Sequence, residues 1–367
     1  MNNKYQHFVP QFYLKNFSAN RKSIGGYLLK ERKFVPHMPI KDICGRDYLY
    51  GKDLKLEKWF SELEGEWASL LRKIIDQVSL SSLSDEEWAL LFMFIYLTDI
   101  RNGFYADSIN DMTTKTAQVI AKIGRDHGLI DTTDDKIKQL TCGYNIPNLL
   151  LIKGMQKRVN IMYDLKPLLI HNASKRMFIT SDYPVVKYNY LFATRHYYRN
   201  FGYGHVGAQI FIPINSSLCL MLFDSDVYNI KDNNLVLTIK APDQITELNK
   251  LFARNSKRAV YFNNNERECI IEQYVAGIKD TSNYYGNQIL ENHSGEFIIL
   301  QSNPSISSKS KLNFCRIAPS FLTCPFPKHM AGPQRPYVTE VLDQEPRNLN
   351  PSHPFSDNVF RTSQRFD

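Results

Sequence analysis

Leu56, Trp59, Phe60, Leu63, Trp67, Leu70, Leu71, Ile74, Ile75 and Val78 recur at steps of three or four residues. That spacing lays them on one stripe of a helix. A second helix opens at Ser84, with Glu87 three residues on as a capping box. From Trp88 to Leu97 it is apolar all round, which predicts a central, buried helix, and it turns polar at Thr98, Asp99, Arg101 and Asn102. Helical signals continue over 106–125 and 135–139, so residues 54–165 read as a helical layer.

The flanks read as strands. Ile24 to Leu29 reads as a Gly25-Gly26 turn feeding a strand, and Phe34 to Ile40 is extended because Pro36 and Pro39 forbid helix. Beyond the helices, Met177 to Ile179 and Val185-Val186 predict strands around a Ser181–Pro184 turn. Gln209 to Pro213 and Leu218 to Phe223 predict a hairpin, and Ala259 to Phe262 a further strand. A helix is expected over about 243–255, with Ile245, Leu248, Leu251 and Phe252 on one face. The fold class expected is α+β, a mainly antiparallel sheet with a helical layer inserted between N- and C-terminal strands.

Texture changes after Gln301, where nine of the 17 prolines lie among Ser, Asn and Gln. Residues 1–300 therefore read as one domain and 301–367 as a proline-rich flexible tail, in which Phe314 to Phe326 and Tyr337-Val338 are patches able to dock.

Charge adds one asymmetry. Of the formal net charge of +8, residues 1–60 contribute an excess of seven, 12 Lys and Arg against 5 Asp and Glu. A basic region attracts phosphate backbones, nucleotides or acidic surfaces, and it also serves as an ordinary solvated face. The six cysteines are scattered without a CxxC pair, which argues for reduced thiols and against a zinc ribbon. The first residues carry no apolar signal core, and the longest apolar run is too short to span a bilayer. A cytoplasmic protein is expected.

Catalytic motifs of known classes are absent: no Gly-rich phosphate loop, no serine elbow, no metal-ligand spacing. Nothing in the sequence names a cofactor. The candidates are isolated residues. His7, inside the aromatic stretch Tyr5 to Phe17, is a base, a phosphate donor, a ligand or a structural imidazole. Asp182, in Thr180-Ser181-Asp182-Tyr183-Pro184, is a presented carboxylate or an Asx turn, with the Ser181 hydroxyl beside it. Arg101, ending an apolar helix, is an anion clamp or a snorkelling cation, and Glu64 is a solvated helix charge. Arg195, His196 and Arg199 lie in an aromatic run from Tyr190 to His205. That composition suits stacking on exposed bases, a protein interface, or a hairpin packed by its own rings.

The opening Gln6-His7-Phe8-Val9-Pro10-Gln11-Phe12-Tyr13-Leu14-Lys15-Asn16-Phe17 resembles the signature of a bacterial family catalogued as domain of unknown function 4238. Ile40 to Tyr50, the helix ending in Arg101, and Ile179 to Val185 resemble further pieces of the same pattern, over roughly the first 265 residues. Gln6 stands where that signature has a His. The resemblance implies a bacterial, cytosolic setting and adds Gln11 to the residues of interest; it implies no mechanism.

The functional expectation is a protein acting on nucleic acid or a nucleotide, a phosphodiesterase in stress or phage defence. His7 would be general acid/base, Asp182 its orienting partner or a metal ligand, and Arg101 the phosphate holder. Gln11, Ser181, Arg195, His196 and Arg199 would bind single-stranded nucleic acid or a nucleotide. The alternative is a nucleic-acid- or protein-binding module in which the same motif residues are structural.

Overall fold

The computed structural model describes residues 4–195, 202–278, 286–291, 297–302, 310–323 and 333–343. In chain order the strands are β1 (Tyr5–His7), β2 (Ser23–Leu28), β3 (Lys33–Pro39), β4 (Gly45–Asp47), β5 (Lys166–Asn172), β6 (Thr180–Ser181), β7 (Val186–Tyr188), β8 (Gln209–Pro213), β9 (Leu218–Phe223), β10 (Tyr228–Asn229), β11 (Val236–Ile239), β12 (Ala259–Phe262), β13 (Gly286–Glu291), β14 (Phe297–Ser302) and β15 (Arg316–Ile317). The helices are α1 (Gln11–Lys15), α2 (Lys55–Gln77), α3 (Asp85–Ile100), α4 (Gly103–Asp126), α5 (Asp134–Gln139), α6 (Asn148–Lys153), α7 (Met155–Asn160), α8 (Tyr190–Arg195), α9 (Pro242–Asn255), α10 (Glu268–Val275), α11 (Pro319–Leu322) and α12 (Pro336–Asp343). The fold is α+β.

A five-stranded sheet, ordered β11-β5-β9-β8-β7, forms the centre, antiparallel except for the parallel β11–β5 pair. Its two faces bury different halves of the chain. Leu169, Ile210, Ile212, Leu218, Leu220 and Leu222 point into one core with α2 and α3. The alternate residues Leu168, Ile170, Phe211, Cys219, Met221 and Phe223 point into a second core with α9 and α10. Burial on both faces explains why Leu218 to Phe223 is apolar without alternation. A second sheet, β3-β2-β12-β6, pairs the N-terminal β2 with the late β12, Gly26 opposite Tyr261.

The Ser84/Glu87 capping box is present at α3, whose residues from Leu91 to Ile100 are all buried. No helix among the described residues is long and apolar enough to cross a membrane. The strand expected at Met177–Ile179 is displaced to Thr180–Ser181. The α9 side chain of Asn249 takes the Ile179 N–H at 3.1 Å and donates to the Met177 carbonyl at 2.8 Å, so that backbone is satisfied without a ladder.

Two pieces of the proline-rich segment pack on the body, at the two patches read from sequence as able to dock. Leu312, Cys315, Val338 and Val341 are buried. Arg335 is 3% exposed and donates to Asp164 at 2.6 and 2.9 Å and to the carbonyls of Ile161, Tyr203 and His205. A guanidinium with carboxylate and carbonyl partners at these distances is a fixed anchor.

Candidate functional site

The opening motif is spent largely on backbone. The fully buried Gln6 side chain accepts the Tyr50 N–H and donates to the Gly51 carbonyl at 3.2 Å. This joins the motif to the stretch from Ile40 to Tyr50, in which Cys44 (φ 54°) and Tyr48 (φ 51°) take left-handed backbone to turn tightly. The Cys44 carbonyl then receives the Phe8 N–H at 2.8 Å. Tyr13 bridges to the other motif, its hydroxyl 2.7 Å from Thr180 Oγ1 and 2.6 Å from the Pro213 carbonyl. Gln11 is half-buried at the first position of α1.

Arg101 is 1% exposed at the end of α3. Its Nη2 donates to the His7 carbonyl at 2.6 Å and to Glu64 Oε1 at 2.8 Å, and its Nε donates to the Tyr50 hydroxyl at 3.1 Å. The Phe60 ring lies 4.3 Å from the guanidinium carbon. Burial works against this charge, but Tyr50 and Glu64 outweigh it and hold the pKa above the usual arginine value. Glu64, read from sequence as a solvated charge, is therefore the ion-pair partner of Arg101. The contact with His7 is to its carbonyl. The imidazole turns away, half-buried, with Nε2 3.1 Å from the Lys41 carbonyl, and burial pushes its pKa down.

Asp182 is 2% exposed, and its two carboxylate oxygens accept the main-chain N–H groups of Lys257 at 2.9 Å and Arg258 at 2.8 Å. Ser181 Oγ accepts the Tyr183 N–H at 3.1 Å within the same turn. Burial raises the Asp182 pKa against the pull of those N–H groups. His7, Arg101 and Asp182 thus lie on connected elements, but their side chains make no hydrogen bond with one another. Arg101 donates to the His7 carbonyl, Glu64 and the Tyr50 hydroxyl, and Asp182 accepts from two main-chain N–H groups.

What Asp182 builds is a turn that carries the side chains of Lys257 and Arg258. Lys257 Nζ lies 5.0 Å from the centre of the Tyr183 ring, and the exposed Arg258 lies 5.5 Å from that of Phe104. Arg46 packs alongside, holding Asp107 through two bonds of 2.8 and 2.9 Å. A Cβ on Gly103 would meet the Arg46 guanidinium at 2.9 Å, a contact that a small shift of that flexible side chain would relieve.

Behind this face sits a second polar cluster. Asp99, wholly buried, pairs with Lys187 Nζ at 2.7 Å and accepts from the hydroxyls of Tyr105 and Tyr203. Lys187 also reaches the Tyr105 hydroxyl at 2.7 Å, with the Tyr105 and Tyr203 rings 5.4 and 5.0 Å away. Burial disfavours the Lys187 charge, and Asp99 and Tyr105 overcome it, so its pKa stands above the ordinary lysine value. Tyr105 packs edge-on against Tyr183 at 6.2 Å, which links this cluster to Lys257. Burial, reinforced by the repulsion of Lys187, pushes Lys257 down to about 7, against the attraction of Asp182 and Asp99.

The sequence reading passed over Lys257, Arg258, Lys187 and Asp99. The one signal for them was Asp182, whose partners lie some 75 residues on in the chain. Of the other expected binding residues, His196 and Arg199 lie outside the described residues, and Arg195 closes α8, with only its backbone described. Surface grooves at Gly65, Ser69 and Lys73, and at Tyr27, Arg32 and Glu272, involve none of the candidates.

Comparison with known proteins returns no curated protein and no solved structure that matches. The family model described as "Protein of unknown function (DUF4238)" matches residues 5–266, a span that holds the opening motif, Arg101, the Asp182 turn and the Lys257-Arg258 pair, and the chain belongs to that family.

Proposed function

We propose that the protein binds a phosphate-bearing ligand, a nucleotide or single-stranded nucleic acid, at the face formed by Lys257, Arg258, Tyr183 and Phe104. One observation carries this reading: the Asp182 carboxylate is spent on the main chain of residues 257 and 258, so their two cations stand beside aromatic rings. Cations contact phosphate and rings stack on bases, the combination that single-stranded nucleic-acid sites use. The basic excess of residues 1–60, including Arg46 beside the same face, adds long-range attraction. Gln6, Arg101 and Asp182 brace this face, as in a binding module whose motif residues are structural.

A phosphodiesterase is the second reading, favoured by His7. Its half-buried imidazole, with its pKa pushed down, is neutral at pH 7 and able to take a proton. In that version Arg258 takes over the phosphate-holding role first assigned to Arg101.

The test is equilibrium binding of a fluorescent single-stranded oligonucleotide by the intact chain at low salt. Arg258→Ala should weaken binding several-fold, and binding unchanged in Arg258→Ala would remove this face from the account. For the second reading, cleavage of the same oligonucleotide should vanish in His7→Ala; no cleavage by the wild-type chain would leave binding alone.

A further inference from the structure

Where the turn between β2 and β3 meets the C-terminal end of α10, the chain leaves a cavity of about 200 Å³. Liquid water takes about 30 Å³ a molecule, so this space holds roughly six or seven waters, or one molecule of amino-acid size. Arg32 closes the β2–β3 turn at φ 50°, a left-handed position, so the hairpin fixes where its side chain starts. Glu272 comes from the last turn of α10. Both exposed side chains line the cavity, and among the described residues no ion pair joins them or ties either one elsewhere. Two exposed charges are by themselves ordinary solvated groups. Their surroundings distinguish this pair. Tyr27 belongs to the second core through its ring and also lines the cavity, and its hydroxyl has no hydrogen-bond partner among the described residues. Burial pushes its pKa up, Glu272 adds to the rise and Arg32 opposes it, so both charges act on one phenol. Leu29, Val275 and Ile278 give the same cavity an apolar wall. At Gly277 (φ 75°) a Cβ would meet nothing within 4 Å, so the turn that ends α10 leaves the space open.

We propose that this cavity binds a free amino acid with an apolar side chain. A cation and an anion held apart beside apolar surface complement a ligand that carries both charges next to an apolar group. Arg32 takes the carboxylate, whose two oxygens match the guanidinium fork. Glu272 takes the ammonium, and the partial negative charge on the last carbonyls of α10 reinforces it. The Tyr27 hydroxyl donates to the carboxylate, and Leu29, Val275 and Ile278 cover the side chain. The site shares no residue with the face of Lys257 and Arg258, so it stands whether or not that face binds phosphate.

The experiment is isothermal titration calorimetry of the full chain with L-leucine as the probe. Isoamylamine, which lacks the carboxylate, and 4-methylpentanoate, which lacks the ammonium, are the parallel arms. Leucine should saturate a single site, and each analogue should bind about ten-fold or more weakly, because a hydrogen bond between charged groups is worth at least that factor. Arg32→Ala and Glu272→Gln should each weaken leucine binding by about the same factor. Arg32→Lys should lose less than Arg32→Ala, since the charge stays and only the fork is lost. Ala276→Phe, at an exposed position lining the cavity, should block binding while the unfolding midpoint stays at the wild-type value. No saturation by leucine below about 10 mM would overturn the proposal. So would leucine binding no tighter than that of either singly charged analogue, or leucine binding undiminished in Arg32→Ala and Glu272→Gln.

Discussion

Replacing Asp182 separates a brace from a catalytic carboxylate. Its two oxygens hold the N–H groups of Lys257 and Arg258 at 2.9 and 2.8 Å, and the residue is 2% exposed. Hydrogen bonds to a charged group contribute about 1.5–3 kcal/mol each, so the pair is worth roughly 3–6 kcal/mol. Two effects return part of this. Removing the carboxylate relieves a buried charge, whose cost shows in the raised pKa. Lys257 is only half-buried and Arg258 is exposed, so water can reach the freed N–H groups. Asp182→Ala should therefore destabilise by about 2–4 kcal/mol. Asp182→Asn keeps one acceptor and turns an amide N–H₂ toward the other donor, and it should fall between wild type and alanine. Urea unfolding followed by circular dichroism gives the comparison, with a lower midpoint and an unchanged slope as the expected signature. A loss under about 0.5 kcal/mol in the alanine variant, the level of an ordinary surface change, would refute the bracing role.

Arg101→Met leaves Glu64, the His7 carbonyl and the Tyr50 hydroxyl without their shared donor. Breaking a buried pair from one side costs about 3–5 kcal/mol, so the variant should be the most destabilised single change near the opening motif in the same urea assay. For His7, the folded-state pKa lies below its unfolded value of about 6.5, so between the two the unfolded chain binds more protons. Wild-type stability should fall as pH drops through about 6.5, and His7→Gln should flatten that slope in unfolding measured from pH 8 to 5. Arg335→Ala removes the donors that hold Asp164 and the carbonyls of Tyr203 and His205. Amide hydrogen exchange over residues 202–208 should accelerate while α3 keeps its protection.

Legibility from sequence followed how local each signal was. The α2 stripe, the Ser84/Glu87 cap and the Gln209 to Phe223 hairpin rest on spacing within a few residues, and the structure keeps them. The interior strand β5 escaped notice because Leu168, Leu169 and Ile170 are buried on both faces and show no alternation. The parallel β11, which joins β5, begins some 65 residues further along the chain, beyond any local pattern. The candidate motifs adjoin one another in the fold. The opening motif does meet the Asp182 motif, through Tyr13 and Thr180, and it does meet Arg101. Many of their contacts, however, go to main-chain groups, which residue types do not reveal. Lys257, in Asn255-Ser256-Lys257-Arg258, has no distinguishing neighbour in sequence; its environment comes from α4, β7 and the Asp182 turn.

The central claim is that the Asp182 turn presents Lys257 and Arg258 to phosphate, and the salt dependence of binding tests it most directly. Affinity for a single-stranded oligonucleotide is measured across a salt series for the wild-type chain and for a Lys257→Ala/Arg258→Ala double variant. Each phosphate contact contributes about 0.7 to the slope of log affinity against log salt for a single strand, so the double variant should lose roughly 0.7–1.4 of slope, the lower figure if Lys257 is largely neutral. An unchanged slope, with the variant still folded, would contradict the claim and place the phosphate contacts elsewhere on the chain.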